Sequence, residues 1–166
     1  IASGRVAKLD LKEAADEVKH VNNEVSGKIG ISFAARCTTI KPSGTSSLVL
    51  GTSSGIHAWH NDYYLRRMRI GKNEALYQHL KDNHQELIED DMLNSKQAIV
   101  CIPQKAPEGS ILRTEDVMAM LERVKQFNVD WVRNGYRLGN NANNVSATVS
   151  IKENEWDRVG EWMWEN

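Results

Sequence analysis

The sequence predicts an α/β fold whose strands are separated by helical crossovers and therefore run parallel. Three observations carry this expectation. Apolar residues recur at helical spacing in four segments, β-branched and aliphatic runs suited to buried strands fall near residues 36–41, 97–102 and 145–152, and the two patterns alternate along the 166 residues. No internal repeat, low-complexity tract or convincing domain boundary interrupts the order, so residues 1–166 read as one domain or as part of a larger one.

The first helix is expected from Asp10, with Leu11, Ala14, Ala15, Val18, Val21 and Val25 on one stripe and Gly27 and Gly30 available to stop it. ARCTTIK follows as a strand ended by Pro42, and SSLVLG leaves the next loop as a short helix or a second extended piece. YYLRRMRIG is extended or irregular. Asn73 can cap a helix carrying Leu76, Tyr77, Leu80, Leu87 and Ile88, with the acidic run Glu89, Asp90 and Asp91 at its solvated end. QAIVCIP is a buried strand stopped by Pro103. Thr114 caps a helix with the stripe Val117, Met120, Leu121, Val124, Phe127 and Trp131. VSATVSIK alternates like a strand, and the closing helix places Trp156, Val159, Trp162 and Met163 on a face expected to be buried.

Bulk properties exclude several functions. Twenty-one basic and 22 acidic residues give a net charge of -1, which offers no general attraction to nucleic acid or to an anionic membrane. No apolar run approaches the roughly 20 residues that span a bilayer, so a soluble protein is expected. Cys37 and Cys101 are too far apart for a CxxC motif and lie in apolar runs, as buried thiols of a reducing compartment do. The start at Ile1, without a charged and apolar leader, suggests a piece of a longer chain.

The segment CTTIKPSGTSSLVLG, residues 37–51, is chemically the most specific. A strand, a turn of small hydroxyl and glycine residues, and a helix start together present backbone N–H groups to an anion. Gly44 lets another group approach the backbone, while Ser43, Thr45, Ser46 and Ser47 add hydroxyls. Neither a Walker pattern nor GxGxxG is present, and by composition an ordinary serine-rich turn is the simpler reading.

Other clusters have structural readings. His57 and His60 are spaced like metal ligands, but no third ligand is in register, so packed histidines are favoured. Arg66, Arg67 and Arg69 would be split between two faces of an extended segment and are expected to be exposed or ion-paired. Glu89, Asp90 and Asp91 would point in different directions. No metal site is expected.

TTIKPSGTSSLVLGTSSGIHAWHNDYYLRRMRIGKNEALYQHL, IPQKAPEG and NVSATVSIKENEWDRVGEWMWEN together resemble the adenosylcobalamin-dependent (class II) ribonucleotide reductases, most closely the monomeric branch that reduces ribonucleoside triphosphates. The similarity runs from about Leu11 to Asn166, and Lys41-Pro42-Ser43-Gly44-Thr45 is its most specific element. The resemblance implies that residues 1–166 form a C-terminal part of the ten-stranded α/β barrel of that family. It also implies that Ser43, Gly44, Thr45 and Ser46, and more weakly Ser47, contact the substrate's phosphates. The reaction implied is conversion of ribonucleoside triphosphates to 2′-deoxyribonucleotides by a cobalamin-initiated thiyl radical.

Adenosylcobalamin as cofactor, an external dithiol reductant, a monomeric full enzyme and a cytoplasmic site of action, in a bacterium or in a phage's host, follow from the same resemblance. The family's Asn-x-Cys-x-Glu motif does not occur, so neither cysteine inherits a catalytic role and this segment is expected to be inactive alone. Two alternatives stand beside the reductase: a non-catalytic nucleotide- or anion-binding module, and an inert structural fragment whose unpaired strand edges self-associate.

Overall fold

The computed structural model describes residues 1–3, 6–139 and 141–166. Its elements are α1 (Leu11–Ile29), α2 (Thr45–Val49), β1 (Tyr63–Gly71), α3 (Ala75–Asn83), β2 (Ile88–Asp90), β3 (Gln97–Lys105), α4 (Val117–Phe127) and α5 (Trp156–Glu165). Short 3-10 turns occur at Val6–Lys8, Gln85–Leu87 and Glu153–Glu155, and a π turn at Asn128–Val132. The chain forms two compact units, Ile1–Trp59 with Glu108–Asn166, and His60–Pro107. Within the inserted unit, the Ala106 amide donates to the Asp62 carbonyl at 2.9 Å and ties its two ends together.

In the first unit, α1 begins where Asp10 accepts from the amides of Lys12 and Glu13, both at 3.0 Å, and ends at Gly30 with φ 75°. Leu11 and Ala15 are buried, but Val21 and Val25 are exposed. The inward face of the later turns is polar instead: Asn22 accepts from the Ala34 amide at 2.9 Å, and Ser26 is buried. The core gathers Leu11, Ile56, Met120 and Phe127, with Ile40, Trp131, Val145 and Val149 packed around them. A second cluster joins Val117 and Leu121 of α4 to Val159 of α5.

Helix α4 starts later than expected. Asp116, not Thr114, is its cap, with its carboxylate accepting from the Met118 amide at 2.8 Å. Two side chains of α5 also depart from expectation, since Trp156 and Met163 are exposed while Val159 is buried and Trp162 half-buried. A helix this short buries one narrow stripe, and Val159 occupies it.

Residues 36–41 and 145–152 are extended but form no ladder. Arg36 pairs with Tyr136 in an antiparallel bridge, and Ile40 pairs with Val145 in a parallel one. Each partner is engaged for about one residue before the chain turns to another, so the strands expected near 36–41 and 145–152 become isolated bridges. Their backbone groups are still used: Cys37 donates to Gly135 at 2.8 Å, and Ser146 donates to Ile40 at 2.9 Å.

In the second unit the sheet has the order β1-β3-β2 and is antiparallel throughout. Helix α3 does connect β1 to β2, which run in the same direction, but β3 lies between them, pairing with β1 in full register from Tyr63↔Lys105 to Gly71↔Gln97, so every neighbouring pair is antiparallel. Strand β3 passes through Pro103 instead of stopping there. Its β2 partner ends opposite Val100, so beyond that point β3 has a free edge, where proline is tolerated. Helix α3 is shorter than the apolar pattern suggests. Glu74 rather than Asn73 occupies its cap position, Leu87 lies in a 3-10 turn, and Ile88 already belongs to β2.

The charged residues of this unit form ion pairs across the sheet. Arg67 reaches Glu89, Arg69 reaches Asp91 at 2.7 Å and Lys72 reaches Asp90 at 2.5 Å. The acidic run is therefore a strand and its exit rather than a helix end. Asp91, whose side chain is only 3% exposed, also accepts from the Leu93 amide at 2.9 Å.

Candidate functional site

Residues 41–47 leave the extended segment and enter α2 in one tight turn. Gly44 has φ -75° and ψ -50°, an ordinary helical conformation, so backbone strain does not explain the glycine. Crowding within the chain does not explain it either, since a β-carbon there would meet nothing within 4 Å and the turn is open to an approaching group. Gly44, Thr45 and Ser46 are exposed, and their amides donate to no acceptor among the described residues. They are the free donors that the start of any helix leaves.

The serines at either end of the turn have a different use. Ser47 is buried; its hydroxyl donates to the Ser43 carbonyl and its amide donates to Ser43 Oγ at 3.3 Å. The Ser43 amide is itself occupied, donating to Ser54 Oγ at 2.9 Å. Thus the five residues singled out in the sequence fall into two groups. Ser43 and Ser47 close the turn on itself, while Gly44, Thr45 and Ser46 show three successive amides and two hydroxyls to solvent. A nest of this kind can accept an oxyanion, and its neutral donors suit a protein with almost no net charge.

His57 is held from both sides. Its Nδ1 lies 2.8 Å from the Ser54 carbonyl and its Nε2 accepts from the Thr148 amide at 2.9 Å. His60 lies in the other unit, with its ring 5.6 Å from that of Tyr64. The sequence did not reveal these partners of His57, because they are backbone groups of Ser54 and Thr148, and residue identity does not mark which backbone group an imidazole meets.

The two thiols differ. Cys101 is buried and donates to Glu89 Oε1 at 3.3 Å, and burial first, then the Glu89 carboxylate, raises its pKa above the usual thiol value. Cys37 is half-buried, with its sulfur 3.8 Å from the Ala34 carbonyl.

This fold has a close counterpart among solved structures. The crystal structure of a B12-dependent (class II) ribonucleotide reductase superposes with a TM-score of 0.69 over 92% of this chain and 22% of that one, at 22% sequence identity, which establishes a shared fold. Sequence comparison names the relatives more closely, and they are adenosylcobalamin-dependent ribonucleoside-triphosphate reductases. The enzyme of Euglena gracilis is 34% identical over 70 residues, covering 42% of this chain and 10% of that protein. A probable enzyme of the same name from Dictyostelium discoideum is 31% identical over 107 residues, 64% of this chain and 14% of that protein. That of Lacticaseibacillus paracasei is 24% identical over 159 residues, 90% and 20% respectively. The chain spans a tenth to a fifth of the length of these curated relatives. No family model matches it. The resemblance read from Lys41-Pro42-Ser43-Gly44-Thr45 and its flanks is thus to the same class that these comparisons name.

Proposed function

We propose that this chain is the substrate-phosphate-holding part of the α/β barrel of an adenosylcobalamin-dependent ribonucleoside-triphosphate reductase. The observation that carries the reading is the turn at 43–47, whose amides at Gly44, Thr45 and Ser46 are open and adjacent in a chain related to those reductases. Each amide can donate one hydrogen bond to a phosphate oxygen, and the hydroxyls of Thr45 and Ser46 can add two more. Donors fixed by the protein need little rearrangement to receive the anion, so the turn orients the substrate by its phosphates while the ribose is reduced elsewhere.

The relatives' names imply adenosylcobalamin, which when bound supplies the radical that starts ribose reduction. The hollow between His57, Arg113, Met120 and Thr148 measures about 70 Å³, too small for a corrin ring. The cofactor's contacts belong mostly outside this segment in this reading, so no residue of this chain is assigned to it and no step is derived through it. Cys37 and Cys101 stand outside any Asn-x-Cys-x-Glu context and take no part in the chemistry of this reading. An external dithiol reductant, a monomeric full enzyme and a cytoplasmic site of action belong to the same proposal.

Gly44→Val tests the loop directly. The valine β-carbon enters open space on a backbone that valine can adopt, so folding is little affected while the approach to the amides is crowded. In the native polypeptide that carries this sequence, affinity for a ribonucleoside triphosphate should fall by about tenfold or more, the value of one or two charge-assisted hydrogen bonds. Unchanged affinity would sink the loop assignment. Triphosphate binding without formation of a deoxyribonucleotide, with cobalamin and a dithiol supplied, would instead indicate a non-catalytic binding module.

A further inference from the structure

We propose that Ser54, Gly55 and His57 are positioning residues that hold the anion-binding turn in register; the inference rests on the phosphate reading of that turn. Ser54 Oγ accepts the Ser43 amide at 2.9 Å, which pins the first residue of the turn from a position 11 residues further along the chain. Gly55, at φ 59°, lies against the extended segment that feeds the turn, and a β-carbon there would come within 3.0 Å of the Lys41 carbonyl oxygen and 3.3 Å of Pro42 Cα. Only glycine combines that backbone conformation with so close an approach.

The strap is itself anchored at two points. Ile56 is fully buried in the cluster of Leu11, Met120 and Phe127. His57 ties the strap to the segment containing Thr148 through Nε2, while Nδ1 closes onto the Ser54 carbonyl within the strap. The Ser54 carbonyl can only accept, so Nδ1 carries the proton, and the Thr148 amide can only donate, so Nε2 is bare. A single neutral tautomer satisfies both neighbours. The imidazole thus acts as a fixed strut and is not available as a general acid, a base or a metal ligand.

The consequence for binding is entropic. Gly44, Thr45 and Ser46 are exposed and their amides meet no acceptor among the described residues, so the arrangement of those amides depends on what holds Ser43 and Pro42 in place. Loss of the strap leaves the donors present but mobile, and an anion must then order them as it binds.

The test is calorimetric titration of the native polypeptide with inorganic triphosphate, comparing the unsubstituted protein with Ser54→Ala, Ser54→Thr and His57→Phe. Loss of one hydrogen bond should weaken binding by about fivefold in Ser54→Ala, and loss of two by more in His57→Phe. Ser54→Thr, which keeps the hydroxyl, should restore affinity to about that of the unsubstituted protein; a role confined to global stability would not follow the hydroxyl in this way. Equal affinities in all four proteins, with binding intact, would overturn the strap alone. No triphosphate binding by the unsubstituted protein would overturn the anion reading and the strap with it. Amide hydrogen exchange decides the matter if a variant fails to fold. In the unsubstituted protein Ser43 and Thr148 should exchange much more slowly than Gly44 to Ser46, and equally fast exchange at all of them would refute the strap.

Discussion

Thr38 and Gly135 meet at a point where no side chain but hydrogen fits. Thr38 is buried and donates from Oγ1 to the Trp131 carbonyl at 2.7 Å, and a β-carbon on Gly135 would lie 1.9 Å from Thr38 Oγ1. The contact joins the extended segment at 36–41 to the turn after α4, where the Cys37 amide also donates to the Gly135 carbonyl.

Gly135→Ala should therefore destabilise the protein by roughly 3 kcal/mol or more, as overpacking against buried backbone and side chain does. Thr38→Ala should not rescue it, because the Thr38 β-carbon lies only 2.6 Å from the same point. Urea denaturation of the two single variants and the double variant checks this, and recovery in the double variant would place the clash elsewhere.

The serines of the turn should separate by role. Ser47→Ala removes a buried hydroxyl that donates to the Ser43 carbonyl and should cost about 1 kcal/mol of stability. Ser46→Ala, at an exposed position, should change stability by less than about 0.5 kcal/mol. Equal losses in thermal unfolding would mean that Ser46 is as much a part of the turn's framework as Ser47.

Acid should destabilise the fold through Asp116 and Asp91. The amide of Met118 and then Arg158 hold the Asp116 carboxyl below its ordinary range, and the amide of Leu93 and then Arg69 do the same for Asp91. Because each folded value lies below the unfolded one, the unfolded chain takes up protons first as pH falls. The stabilisation is complete above the unfolded carboxylate value, near 4, and is lost below it as pH falls through the folded value. Asp116→Asn should flatten this acid limb. Unfolding midpoints measured from pH 6 to pH 2 that keep the same slope in the variant would remove Asp116 from the account.

The two thiols should react in a fixed order. Raising a thiol's pKa lowers its thiolate fraction, and Cys101 is buried as well, so Cys37 should alkylate first at pH 8. Glu89→Gln removes a carboxylate that holds the Cys101 proton and should speed its modification. Mass spectrometry of iodoacetamide-treated protein distinguishes the sites, and preferential labelling of Cys101 would contradict the burial assigned to it.

Much of the helical content was legible. Asp10 and Gly30 bound α1 because a cap acts through its own carboxylate or its own φ, which are local properties. The stripe Val117, Met120, Leu121 and Phe127 is buried as its spacing suggests. Strand pairing was less legible, since a strand's partner is chosen at a distance. QAIVCIP reads as a parallel strand ended by proline, whereas β3 is antiparallel and continues to Lys105. The acidic run at 89–91 reads as a helix end because the arginines and lysine it meets lie about 20 residues away in sequence.

The sequence by itself determined the two ends of α1, the near-neutral charge and the turn Pro42-Ser43-Gly44-Thr45, together with the kinship that the turn and its flanks carry. These depend on residue chemistry and short-range geometry. Only the tertiary structure decided which members of the turn are free to meet a ligand. Ser43 and Ser47 look as available as Thr45 and Ser46 in the sequence, but both of their amides and the Ser47 hydroxyl donate within the turn or to Ser54, while Ser43 Oγ accepts from the Ser47 amide. A hydroxyl's use is set by which backbone group folding brings within about 3 Å of it, and no local pattern encodes that distance.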